Sequence, residues 1–173
     1  MGRPRGFVEA DVVAAAAELF ARRAYDGVSV DDLVGQLGIH RNSLYQTFGS
    51  KRGLYLAALR WHLEHEVRPL LARIAAAPDL TEALRRASAA DGALDLLLLA
   101  TAERAASDSE VAAETTRALA DVDRTFVALG HDDLAAVLTA TVLGLRLRAR
   151  TGTADPDRTD AADRLARALI PHP

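Results

Sequence analysis

Arg41, Asn42, Ser43, Tyr45, Gln46 and Thr47 crowd into one short stretch, interrupted by Leu44 and followed by Phe48. Arginine suits guanine edges, Asn and Gln suit adenine, and Ser, Thr and Tyr hydroxyls suit phosphate oxygens, so this set is equipped to read duplex DNA. Leu44 and Phe48 recur at a spacing of four, which on a helix turns both inward and leaves the polar residues on the free face. A solvated helix surface has the same composition, and this segment alone does not separate the two. Enzyme chemistry finds less material. With zero Cys there is no thiol nucleophile and no Cys zinc site. There is also no glycine-rich phosphate loop and no carboxylate cluster in an apolar setting. His62, His65 and Glu66 could in principle ligate one ion, but on an amphipathic helix such a trio is ordinary. No catalytic residue, metal or cofactor is therefore expected.

The elements that must hold this stretch are helices. Residues 10–23 place Val12, Ala16, Leu19 and Phe20 on one face, and Asp26-Gly27 breaks the pattern. Ser29 with Asp32 reads as a capping box opening a second helix, which Gly38 ends at a position where positive φ costs little. The polar stretch then forms a short third helix, about 41–47. Two short helices joined through Leu37-Gly38-Ile39 have the shape of a helix-turn-helix. Ser50 caps a fourth helix with Leu54, Tyr55, Ala58, Leu59 and His62 inside, and Pro69 should kink or end it. Beyond lie a helix opened by an Asp79/Glu82 capping box, a nearly all-apolar one at about 93–105, and one capped by Ser107 and Glu110 that Gly130 stops. Helices at about 132–149 and 156–169 follow, the last opened by Asp155 and Pro156. Strand signals are almost absent. The expectation is an all-α chain of about nine helices.

Residues 29–54, Ser-Val-Asp-Asp-Leu-Val-Gly-Gln-Leu-Gly-Ile-His-Arg-Asn-Ser-Leu-Tyr-Gln-Thr-Phe-Gly-Ser-Lys-Arg-Gly-Leu, resemble the DNA-binding signature of TetR/AcrR-type transcriptional regulators. Leu37-Gly38, Ser43-Leu44-Tyr45, Phe48 and Ser50-Lys51 carry the likeness, which covers roughly residues 2–60 and includes the arm Gly2 to Phe7. The resemblance implies an N-terminal DNA-binding module, residues 1–50, joined through the fourth helix to a helical effector-binding and dimerisation domain, residues 51–173. It also implies a homodimer on a near-palindromic operator, released by a small molecule, and repression more than activation. Phosphate contacts map onto Ser29, Tyr45 and Lys51, and the base-reading helix onto Arg41 to Thr47. Independently, Ser29 and Lys51 lie at helix N-termini, where free N–H groups favour a phosphate. Arg3 and Arg5 stand where a mobile arm would reach a minor groove. Two departures stand out: Ala24 where the family usually has Gly, and Val8 where an Asp usually follows the arm's Phe.

Charge distribution fits a small anion-facing module. Residues 1–60 hold 8 basic and 6 acidic side chains, the remainder 13 and 18, within a net charge of −3. Lys51 is the only lysine. In the body, Ala136, Ala140 and Gly144 repeat at a spacing of four that lets another helix approach closely, with Leu145 beside them and Leu165 and Leu169 on the last helix. These residues are the expected dimer seam. Trp61, His62, His65, Thr101, Glu103, Arg104, Phe126 and Thr141 are the candidates for an effector pocket. No apolar run approaches the ~20 residues of a membrane span and the N-terminus lacks a signal-peptide core, so a cytoplasmic protein is expected. The competing readings are a small all-α enzyme and a helical interaction module without DNA binding.

Overall fold

The computed structural model describes residues 8–89, 92–150, 163–165 and 167–168. All regular structure among them is helical: α1 (Glu9–Arg23), α2 (Val30–Leu37), α3 (Arg41–Phe48), α4 (Lys51–His62), α5 (Arg68–Ala75), α6 (Leu80–Ala89), α7 (Asp95–Leu99), α8 (Ser109–Ala128) and α9 (Ala135–Ala149). Two compact units are present. One combines the residues up to Glu64 with Asp95–Thr115, and the other combines His65–Leu94 with the residues from Thr116 onward.

In the first unit α1 packs lengthwise on α4, α7 lies against α1, and the α2–α3 pair closes on α1 and α4. Their apolar stripes meet in one core of Val12, Ala16, Phe20, Leu33, Leu44, Leu54, Tyr55 and Leu59, joined by Leu96, Ala100 and Val111. Phe20, Tyr25 and Tyr55 form its aromatic centre, with Tyr55 edge-on to both Phe20 and Tyr25 at 4.9 Å between centroids. Burial raises the Tyr55 hydroxyl's pKa and so keeps the ring neutral.

The helix ends show why these segments stop where they do. Ser29 and Asp32 form the full capping box: the Asp32 amide donates to Ser29 Oγ at 3.0 Å and the Ser29 amide to Asp32 Oδ2 at 2.8 Å. Gly38 ends α2 at φ 65°, in the left-handed region. Ala24 ends α1 at φ 51°, ψ 162°, a region that belongs almost entirely to glycine. Ala24→Gly should therefore raise the unfolding free energy by about 1 kcal/mol. A urea titration that finds the variant less stable would overturn the assignment of strain to this residue.

Several expected boundaries differ. Before Pro69 the helix continues without a break, widening into a π turn at Leu63–Val67 that leads into α5. A proline has no N–H for the preceding turn and its ring needs room, and a wider turn answers both. The nearly all-apolar helix expected at 93–105 is α7 followed by another π turn, Ala100–Arg104. At α6 only one side of the expected capping box forms: the Glu82 amide donates to Asp79, while the Glu82 carboxylate is taken by Arg85 at 2.7 Å and Arg86 at 2.9 Å. Asp108, and not Ser107, caps α8, accepting from the amides of Glu110 and Val111. Ser107 instead donates to the Arg104 carbonyl.

In the second unit α6 packs against α5 and α9. Leu70, Ile74, Leu84, Phe126, Leu138 and Val142 are buried in it. A short 3₁₀ turn, Asp132–Leu134, precedes α9. Thr139 donates to Asp123 at 2.5 Å and Arg85 to Asp163 at 2.9 Å. Asp155 and Pro156 lie outside the described residues. Of the expected last helix, residues 163–165 and 167–168 are described, and they are helical.

Candidate nucleic-acid interface

α3 is pinned from beneath and open above. Leu44 is fully buried and Phe48 half-buried, while Arg41, Asn42, Tyr45 and Gln46 are exposed and Ser43 and Thr47 half-buried. The free face therefore holds donors and acceptors whose arrangement suits the edge of a base pair. Arg41 is not idle in the free chain: its guanidinium pairs with the Asp31 carboxylate of α2. Both side chains are at least half exposed, so the pair is held weakly and can be exchanged for another acceptor. Tyr45 stands 43% exposed, with its ring out in solvent.

Ser29 and Lys51 flank α3 at the starts of α2 and α4. The Ser29 hydroxyl donates to Asp32 at 2.6 Å while accepting the Asp32 amide, and this bond holds the Asp32 carboxyl below its usual pKa. Ser50 caps α4, accepting from the Gly53 amide at 3.0 Å. Lys51, expected as a flexible point charge, is held: its Nζ lies 4.0 Å from the centre of the Tyr25 ring. Partial burial lowers its pKa, and nearby Arg104 adds to that, against the attraction of Asp26 and Asp32.

Behind Lys51 stands a group of residues that the sequence did not point to. Arg104, expected in an effector pocket, sits with its guanidinium carbon 4.4 Å from the same Tyr25 ring. Arg52 grips the buried Asp108 with two bonds, 2.6 and 2.7 Å, and reaches Glu110 at 2.9 Å. Arg60, two turns along α4, bonds Glu114 at 2.8 Å. The Arg52 guanidinium holds the Asp108 carboxyl at a pKa of about 2. Only the adjacency of Arg52 to Lys51 hinted at this cluster, because its partners are more than 50 residues away.

Of the remaining pocket candidates, Trp61 packs half-buried on the first unit's core and His62 is buried in the same unit. Thr101 donates to the Leu97 carbonyl of its own helix at 2.8 Å, and Glu103 is exposed. In the second unit His65 is exposed, Phe126 is fully buried and Thr141 donates to Val137. On α9, Ala136, Val137, Ala140, Gly144 and Leu147 are exposed opposite the buried Ala135, Leu138 and Val142, and Leu145 and Leu165 are half-buried. Arg3, Arg5 and Leu169 lie outside the described residues. No helix among the described residues is long and apolar enough to cross a membrane.

A family profile for bacterial regulatory proteins of the tetR family matches residues 12–58. Over 98% of its length the chain superposes on all of the TetR family regulator CifR, solved as a cysteine variant with a 26-bp double-stranded operator, at a TM-score of 0.81 and 25% identity. Residues 12–58 thus match the tetR family of bacterial regulatory proteins, and the chain as a whole has the fold of a TetR family regulator. An uncharacterised HTH-type regulator of Bacillus subtilis, YezE, is 41% identical over 85 residues, 49% of this chain and 44% of that protein. The repressor BdcR of Escherichia coli is 42% identical over 69 residues, 40% and 35% of the two chains. The matched stretch thus spans less than half of either relative. The matched residues 12–58 take in most of α1, all of α2 and α3, and the first two turns of α4.

Proposed function

We propose that this chain binds operator DNA as a homodimer, represses transcription there, and lets go when a small molecule occupies its helical body. The observation that carries the reading is α3: a helix locked by Leu44 and Phe48 that holds Arg41, Asn42, Tyr45 and Gln46 out in solvent. The operator complex of CifR supports the DNA partner. In this reading Arg41 to Thr47 enter the major groove, Ser29, Tyr45 and Lys51 hold phosphates, and Arg3 and Arg5 reach the minor groove. Residues 1–50 carry these contacts, with Lys51 next in line, and residues 51–173 carry effector and dimer functions. Operator-bound protein represses by occluding the promoter, which places it in the cytoplasm with the chromosome.

Dimerisation supplies the geometry. Two recognition helices about 34 Å apart enter successive major grooves on one side of the duplex. The exposed face of α9 around Ala136, Ala140 and Gly144 has the small, apolar surface that a symmetric helix pair buries. Effector release requires two dimer geometries with different ligand affinities, so that the ligand shifts the population between them.

The first test is selection of bound sequences from a random DNA pool by the purified protein at moderate salt. An inverted repeat is expected. A folded protein that recovers no sequence would overturn the reading. On the selected operator, Arg41→Ala should cost about 1–3 kcal/mol and relax preference at one position in each half-site. Lys51→Ala should weaken all sequences alike and reduce the salt dependence by about one released counterion per contact. Equal losses for Arg41→Ala on operator and random DNA would remove it from base reading.

A further inference from the structure

We infer that Arg104 is a positioning residue for DNA binding: it steadies the Tyr25 ring, and that ring holds the Lys51 ammonium in the pose from which it meets a backbone phosphate. The inference rests on the DNA-binding reading of Lys51 and adds to it a residue from far outside the helix-turn-helix.

The geometry is a relay. Lys51 Nζ and the Arg104 guanidinium carbon lie 4.0 and 4.4 Å from the centroid of one ring. Each is within the range at which the negative face of an aromatic ring attracts a cation. The ring itself is packed edge-on to Tyr55 at 4.9 Å and stacked with Phe20 at 6.1 Å, so it sits on the α1–α4 core and not on a loose loop. Arg104 is 80% covered, and no acceptor among the described residues reaches its buried Nε. Among the described residues, the ring and a 3.8 Å approach to Asp108 hold this guanidinium. Asp108 in turn is gripped by Arg52, the neighbour of Lys51. The first two residues of α4 are therefore tied to the segment Arg104–Asp108 by separate routes, one through Tyr25 and one direct.

The arrangement also loads the site with charge. Two cations share one ring, and the carboxylate that Arg104 approaches among the described residues, Asp108, is already engaged with Arg52. An incoming phosphate relieves that repulsion, so a contact made by Lys51 is strengthened by the cation behind it.

Because Lys51 is the only lysine, reductive methylation with ¹³C-formaldehyde places a label on one side chain of the full-length protein. Its methyl resonance should be shifted upfield by the Tyr25 ring. Arg104→Ala should move it toward the position of a free lysine, and Arg104→Lys, which keeps a cation over the ring, should largely restore it. In salt titrations of unmodified protein, Arg104→Ala should weaken operator and random DNA alike by about threefold to tenfold. The same substitution in a Lys51→Ala background should have no further effect. A methyl shift indifferent to Arg104, or losses that simply add, would overturn the inference while leaving DNA binding intact. A folded wild-type protein that binds no DNA would overturn the DNA-binding reading, and this inference with it.

Discussion

Phe20→Ala should lower the unfolding free energy by about 3–5 kcal/mol, read as a lower urea midpoint at unchanged slope. Phe20 is fully buried on the face of α1 that meets α4, and its ring stands edge-on to Tyr55 and stacked with Tyr25. Truncation removes the ring's burial, leaves a cavity between two helices, and deletes two aromatic contacts, each worth up to about 0.5–1.5 kcal/mol beyond its area. The neighbours cannot easily close the gap, because Leu54 and Leu59 of α4 are themselves fully packed. Phe20→Leu, which fills most of the space, should cost less than half as much. A loss below about 1.5 kcal/mol for the alanine variant would mean that the α1–α4 seam is not the main support of the first unit.

The second large effect falls on Asp108, and it depends on pH. Asp108→Ala removes two charge-assisted bonds to Arg52 and the side-chain cap of α8. Together these should contribute about 2–3 kcal/mol at neutral pH, below the full value of a buried pair because Arg52 is 42% exposed. Asp108→Asn keeps a good capping residue and loses the charge, so it should cost roughly half of that. The acid behaviour follows from the carboxyl's folded pKa of about 2 against an ordinary 3.8. A folded pKa below the unfolded one stabilises above the unfolded value, and that stability disappears as pH falls from about 4 toward 2. The stability gap between wild type and Asp108→Asn should thus stay constant from pH 7 to about 5 and close between about 4 and 2. A gap that persists unchanged at pH 2 would show that the charge on Asp108 is not what stabilises the pair.

The residues that the sequence placed well are those governed by near neighbours. The capping box of Ser29 and Asp32 closes over three residues, and the left-handed stop at Gly38 needs no partner. The inward turn of Leu44 between exposed Arg41, Asn42, Tyr45 and Gln46 follows from helical period alone. Family likeness in residues 29–54 then assigned that free face a role which composition had left open.

Misreadings arose where two local answers were equally good and a distant group chose between them. Ser107 and Asp108 both satisfy the pattern of a helix N-cap. Asp108 takes the position, and Arg52, 56 residues earlier, draws the same carboxylate into a bidentate grip. Glu82 could have completed a box with Asp79, but two arginines one turn further on hold its carboxylate. The contact of Arg104 with the Tyr25 ring was likewise not legible, because nothing in its own stretch announces Tyr25.

Periodicity, caps and glycine stops act within a turn or two of helix, so the sequence alone decided that the described residues are all-α and which face of α3 is left exposed. Which charges pair, which aromatic ring carries the single lysine, and which residue caps α8 depend on groups brought together only when α4 and the Arg104–Asp108 segment pack into one unit. Coulomb and cation–π attractions fall off within a few ångströms of contact in water. Their partners are therefore chosen by the folded arrangement and leave no mark in the local pattern.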